Sequence, residues 1–154
     1  MKINTKNISE IKIAGRGGKE NEALRLLPGY RRASAPLYDF QSCRGKHRVE
    51  LKKQQNLQWF DAGKYHNLSK GERDITMLFV VHDGQSICNI YSISLGSMLD
   101  ILCADKDYKK DGWTKENIKV CHAQKKKYPK MQVKIPLKVR KFVEKYPKDV
   151  KVWL

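Results

Sequence analysis

Asp39, Glu50 and Lys52 are the residues of this 154-residue chain whose types and spacing could do chemistry together. In the run VELK, residues two apart on a strand share a face, so Glu50 and Lys52 project together while Val49 and Leu51 face the core. A hairpin then brings Asp39, in LYDF, beside Glu50. Two adjacent carboxylates repel each other, and nothing in folding calls for that unless a cation sits between them. Mg2+ suits the place: it takes one or two carboxylates, a backbone carbonyl (here that of Leu51) and several waters, leaving positions for phosphate oxygens. Lys52 on the same face would orient or deprotonate the attacking water, or stabilise charge on a pentavalent phosphorus. The chemistry implied is metal-dependent hydrolysis of a phosphodiester. The competing reading is an exposed strand on which Glu50 and Lys52 merely pair across solvent; the upstream Asp39 and the charge of the chain favour the first.

Positioning these residues calls for a strand over Pro36 to Phe40, a turn at Gly45 within Gln41 to Lys46, and a second strand over His47 to Gln54. Ahead of them, residues 1–18 end in GRGG and read as a mobile basic arm, with a short helix over Lys19 to Leu27 closed by Pro28-Gly29. Leu57 and Phe60 at helical spacing predict a helix over Asn56 to Asn67. Asp74 to His82 is the most apolar segment and reads as a central strand; Asp83-Gly84 turns it into a second strand over Ser86 to Leu95. A helix over Ser97 to Ala104 follows, then a charged loop over Asp105 to Gly112. Thr114 to Lys127 fits a helix or an extended basic segment equally. Val133, Ile135 and Leu137 alternate around Pro136 as an edge strand, Leu137 to Tyr146 is helical, and Asp149 to Leu154 alternates as a last strand. The expected fold is a single α/β or α+β domain over 19–154, a mixed central sheet flanked by helices.

The chain carries 32 Lys+Arg against 16 Asp+Glu, a formal charge of +16, with 40% hydrophobic residues, enough for a core. Such a surplus implies a polyanionic partner, most often nucleic acid. No apolar run approaches the roughly 20 residues of a membrane span, and Met1 to Glu10 lacks a signal-peptide core, so a soluble cytoplasmic protein is expected. Cys43, Cys88, Cys103 and Cys121 have no CxxC pair and no histidine at finger spacing, and read as buried free thiols. His47, His66, His82 and His122 are scattered, each a surface or turn residue.

With Asp39 in LYDF and Glu50 and Lys52 in VELK, the sequence resembles the PD-(D/E)XK nuclease superfamily, which includes many type II restriction endonucleases. The later run, with IYSISLGSMLDIL, a DGW segment and KIPLKV before a C-terminal strand, is similar in order to the compact PvuII-type enzymes, over roughly residues 36 to 154. The resemblance implies a restriction-endonuclease-like fold, Mg2+ as the only cofactor, and a further metal-site glutamate on a helix before the first strand, for which Glu20 or Glu22 fits. Two departures stand out. Tyr38, not proline, precedes Asp39, and Lys64-Tyr65-His66-Asn67 occupies the region of a His-rich base-reading element without matching it.

From Asp105 to Leu154 there are sixteen Lys/Arg and six Asp/Glu, so half the positive charge lies in the last third. Lys125, Lys126, Lys127 and Lys130 could lie along a phosphate backbone. Arg16, Arg31, Arg32 and Arg44 could clasp phosphate or guanine, and Gln54, Gln55 and Asn67 could read adenine or place water. Trp59, Trp113 and Trp153 read as core or interface residues. The leading expectation is a Mg2+-dependent endonuclease on double-stranded DNA, a homodimeric type II restriction enzyme with no membrane partner. A Holliday-junction resolvase or a homing or repair nuclease of the same fold, and a non-catalytic nucleic-acid-binding protein, are the alternatives.

Overall fold

The computed structural model describes residues 1–6, 8–11, 23–33, 35–130 and 133–154. Its centre is a six-stranded mixed sheet in the order β1 (Tyr30–Arg32), β2 (Phe40–Ser42), β3 (Arg48–Gln54), β5 (Thr76–His82), β6 (Ile87–Ser94) and β8 (Lys151–Val152). Neighbours are antiparallel except β3 and β5, which run parallel with Glu50 beside Met77 and Lys52 beside Phe79. A parallel pair cannot be closed by a tight turn. The crossover between them holds β4 (Leu57–Asp61), a 3-10 turn (Ala62–Tyr65) and α1 (Lys70–Arg73). β4 pairs with β7 (Lys134–Lys138) as a separate two-stranded ribbon. The mixed α/β domain expected from the sequence is the one observed.

Both faces of the sheet are packed, which is why β5 reads as an unbroken apolar run rather than an alternation. On one face Met77, Phe79, Val81, Tyr91 and Ile93 meet the ribbon and the helices α2 (Leu95–Ala104), α3 (Lys106–Asp111), α4 (Lys115–Lys127) and α5 (Val139–Lys145). On the other, Val49, Leu51, Leu78, Val80 and Ile90 meet Ile11, Ala23, Leu26 and Leu27. The helix starts are those of capped helices: Ser94, Asp105 and Thr114 each accept a backbone N–H from the first turn, and Ser69 and Glu72 form a capping box on α1. No helix of the described residues is long and apolar enough to cross a membrane.

Several sequence expectations change. The helix over Asn56 to Asn67 is instead β4 and the 3-10 turn, because pairing with β7 and burial of Phe60 outweigh a two-position helical spacing. The charged loop over Asp105 to Gly112 is α3: Asp105 caps it, Tyr108 is buried, and Gly112 ends it at φ 113°. The strand expected over Pro36 to Phe40 starts only at Phe40. Of residues 1–18, Ile11 is in the core and the Asn4 N–H donates to the Leu26 carbonyl at 2.9 Å, so the described part packs on the domain rather than standing off as an arm. Arg16, Glu20, Glu22 and most of the helix over Lys19 to Leu27 lie outside the described residues. All four cysteines are free, but only Cys121 is buried and Cys43 is exposed.

His47 is a structural tie, not a surface residue. Its ring bridges the Tyr30 hydroxyl on β1 and Thr76 Oγ1 on β5, the latter at 2.7 Å. Burial, and then the positive chain terminus, hold its pKa below the ordinary 6.5. The unfolded chain therefore binds this proton more readily than the folded one, and stability falls as pH drops below about 6.5. Thermal melts between pH 8 and pH 5 should show this decline, with a shallower slope in His47→Gln; equal slopes would remove His47 as its source.

Candidate active site

The β2–β3 register pairs Phe40 with Val49, which places Asp39, the residue before β2, opposite Glu50. Asp39 is fastened to β3 twice. Its N–H donates to the Val49 carbonyl at 2.9 Å, and its Oδ2 accepts the Leu51 N–H at 2.9 Å. On a strand the N–H and C=O of one residue point to the same side, so the Leu51 carbonyl also faces the Asp39 side, past the start of β2.

Glu50 and Lys52 share a face, as the strand alternation requires, and pair at 3.2 Å. Their face is not open to solvent, however: the side chains are only 9% and 18% exposed. Burial pushes the Glu50 carboxyl above its ordinary range, Asp39 adds to the shift, and Lys52 and Lys64 oppose it. Lys52 Nζ lies 5.7 Å from the Phe60 ring centroid, so the ribbon supplies an aromatic wall behind the ammonium.

The β4 end and the turn after it bring in three residues that the sequence reading did not assign to the site. Asp61 pairs with Lys125 of α4 at 2.5 Å. Lys64 is half-buried; desolvation and then Lys52 hold its pKa below the lysine range, against the pull of Glu50, Asp61 and Asp39. The Tyr65 hydroxyl is buried with no hydrogen-bond partner among the described residues. Burial raises its pKa, and the charges of Glu50, Asp61 and Asp39 raise it further. A polar atom so placed needs a partner such as water or an ion. A cavity of about 250 Å³ is lined in part by Tyr38, Arg48, Lys64 and Glu72. The signal that could have located Lys64 was the small-residue pair Ala62-Gly63, which ends the strand and lets the turn approach α4.

The oxygen donors that could hold a metal are Asp39, Glu50 and the Leu51 carbonyl. Among the described residues no group of three His, Cys, Asp or Glu side chains forms a metal cluster. The basic candidates spread out from this centre. Arg31 and Arg32 are exposed on the edge strand β1, Arg44 is exposed in the β2–β3 turn, and Asn67 is exposed at φ 61° after the 3-10 turn. Lys126, Lys127 and Lys130 are exposed at and beyond the end of α4, whereas Lys125 is committed to Asp61. Gln54 does share the Glu50 face, but it is buried, with neither amide atom partnered among the described residues, so its amide faces the interior and not a groove. Trp113 is fully buried, while Trp59 stands half exposed on the ribbon.

No protein-family model matches the chain, and comparison with curated proteins likewise finds no match.

Proposed function

We propose that the chain is a Mg2+-dependent endonuclease of the PD-(D/E)XK type, hydrolysing phosphodiester bonds of double-stranded DNA as a homodimeric type II restriction enzyme. The observation that carries this reading is the placement of Asp39 opposite Glu50, with Lys52 paired to Glu50 on the same face. The metal fits the residues present. Two mutually repelling carboxylates and the Leu51 carbonyl offer only hard oxygen donors, and the Tyr65 hydroxyl, buried without a hydrogen-bond partner among the described residues, feels the charge of the same acids.

Bound there, Mg2+ would polarise the phosphate and make water a better nucleophile. The chain's own residues do the rest. Asp39 is locked in place by its two bonds to β3, so its carboxylate keeps a fixed direction. Glu50 must be ionised to act as a ligand. Lys52 orients the attacking water and lends positive charge to the phosphate oxygens as the pentavalent state forms. The lysines at the end of α4 hold the duplex through its backbone. Cutting both strands calls for two such centres, hence a twofold pair.

Digestion of supercoiled plasmid tests the reading. Wild-type protein with MgCl2 should give discrete linear fragments, abolished by EDTA and by Asp39→Asn or Lys52→Met. Cutting confined to four-way junctions would transfer the fold's chemistry to branched DNA. Tight DNA binding without a single nick would reduce the chain to a non-catalytic binder.

A further inference from the structure

Lys64 stands between two fixed residues. A Cβ on Gly63 would lie 2.9 Å from the His122 backbone nitrogen and 3.0 Å from the Cys121 carbonyl carbon, so the turn is pressed against α4 at this point. Tyr65 on the other side is buried, with its ring centroid 6.2 Å from that of Phe60. The Lys64 ammonium rests 5.7 Å from the Tyr65 ring centroid, and that of Lys52 rests 5.7 Å from the Phe60 ring centroid. One aromatic pair thus carries two ammonium groups, one from β3 and one from the turn.

The charged groups around Lys64 are Asp39 from the start of β2, Glu50 and Lys52 from β3, Asp61 from β4, and Arg48 and Glu72 across the cavity. Most of the acids are already engaged. Lys52 holds Glu50 at 3.2 Å, Lys125 holds Asp61 at 2.5 Å, and Glu72 accepts the Ser69 N–H at 2.8 Å. Among the described residues no carboxylate lies within ion-pairing distance of Lys64. A half-buried ammonium near a carboxylate pair, with no ion-pair partner among the described residues, is costly unless something else uses it.

We propose that Lys64 is a second catalytic lysine of the centre: it lends positive charge to the Asp39–Glu50 pair in the free protein and bonds the non-bridging oxygens of the scissile phosphate when Mg2+ and DNA enter. This rests on the nuclease reading above and extends it. Two consequences run in opposite directions. In the free protein the Lys64 charge repels Mg2+, so removing it tightens the metal. In the complex the same charge faces phosphate, so removing it slows cleavage. A residue that only supported the fold would weaken both.

The test compares wild type with Lys64→Met and Lys64→Arg. Mg2+ affinity of the free protein is read from the rise of Tm with MgCl2, and kcat and KM from plasmid cleavage. For Lys64→Met the expected result is Mg2+ bound about tenfold more tightly, within the usual range of coupling between sites, and kcat reduced about 10²-fold with KM little changed. Lys64→Arg keeps the charge and should retain wild-type metal affinity and most of kcat, which separates charge from folding. Unchanged or weaker Mg2+ binding in Lys64→Met, or unchanged cleavage, overturns the assignment of Lys64 while leaving a cutting wild type intact as a nuclease. A wild type that never cuts overturns the nuclease reading itself, and the phosphate role of Lys64 with it.

Discussion

On the proposed nuclease reading, Glu50→Gln should leave a protein that does not cut DNA and yet melts at a higher temperature than wild type. Loss of the proposed metal ligand would remove several kcal/mol of transition-state stabilisation, about 10³-fold or more in rate. The gain in stability follows from burial. The folded state holds the Glu50 carboxyl above its ordinary pKa of 4.5, chiefly by desolvation and then by Asp39, so the ionised form is a burden on the fold at neutral pH. The sign is fixed by proton counting: between 4.5 and the raised value the folded state binds more protons than the unfolded, and stability falls as pH rises through that window. The amide never ionises and escapes the burden. In a domain of this size each kcal/mol relieved raises the Tm by about 2–4 °C. The advantage should vanish near pH 4, and MgCl2 should raise the Tm of wild type but not of the variant. A variant less stable than wild type at pH 7.5 would mean that the Lys52 pairing outweighs desolvation at Glu50.

Phe60→Ala should be the most destabilising single truncation in the ribbon. The side chain is fully buried, with ring centroids of Trp113 at 5.4 Å, Tyr65 at 6.2 Å and Phe79 at 6.3 Å. Removing it costs about 3–5 kcal/mol, a fall in Tm of about 6–20 °C. It also removes the aromatic wall behind Lys52. Phe60→Leu keeps most of the volume and should cost less than about 1.5 kcal/mol, while cleavage falls by more than that loss of stability explains. Urea titration of both variants alongside plasmid cleavage separates packing from placement. A Phe60→Ala protein within 1 kcal/mol of wild type would be incompatible with a ribbon packed on this core.

How much was legible in advance depended on how local each signal was. The trio Asp39, Glu50 and Lys52 lies within one hairpin, and the period of a strand alone puts Glu50 and Lys52 on one face. β5 and β6 were readable from their apolar runs and the Asp83-Gly84 turn. The ribbon was not. Leu57 and Phe60 satisfy a helical spacing by coincidence, and the partner that makes Leu57–Asp61 a strand is β7, more than seventy residues away in sequence. Misplacing β4 hid everything that depends on its end, including Asp61, Lys64 and the buried Tyr65 hydroxyl. The helix α3 was legible in part, since Asp105 and Gly112 are a capping residue and a stop signal around Tyr108. The burial of Glu50 and Gln54 could not be read from alternation, because that pattern does not reveal that both faces of the sheet are covered.

The double packing of β3 also sets how stiff its surroundings are. Moving Glu50 relative to its neighbours would require two layers of side chains to yield together. The β4–β7 ribbon pairs only within itself among the described strands and presents Leu57 and Trp59 to solvent, but it sinks Phe60, Ile135 and Leu137 into the same core, so it is braced against the sheet. A ligand drawn to Glu50 and Lys52 would therefore meet an unyielding anvil, with shape adjustment borne by the ligand and not by these side chains.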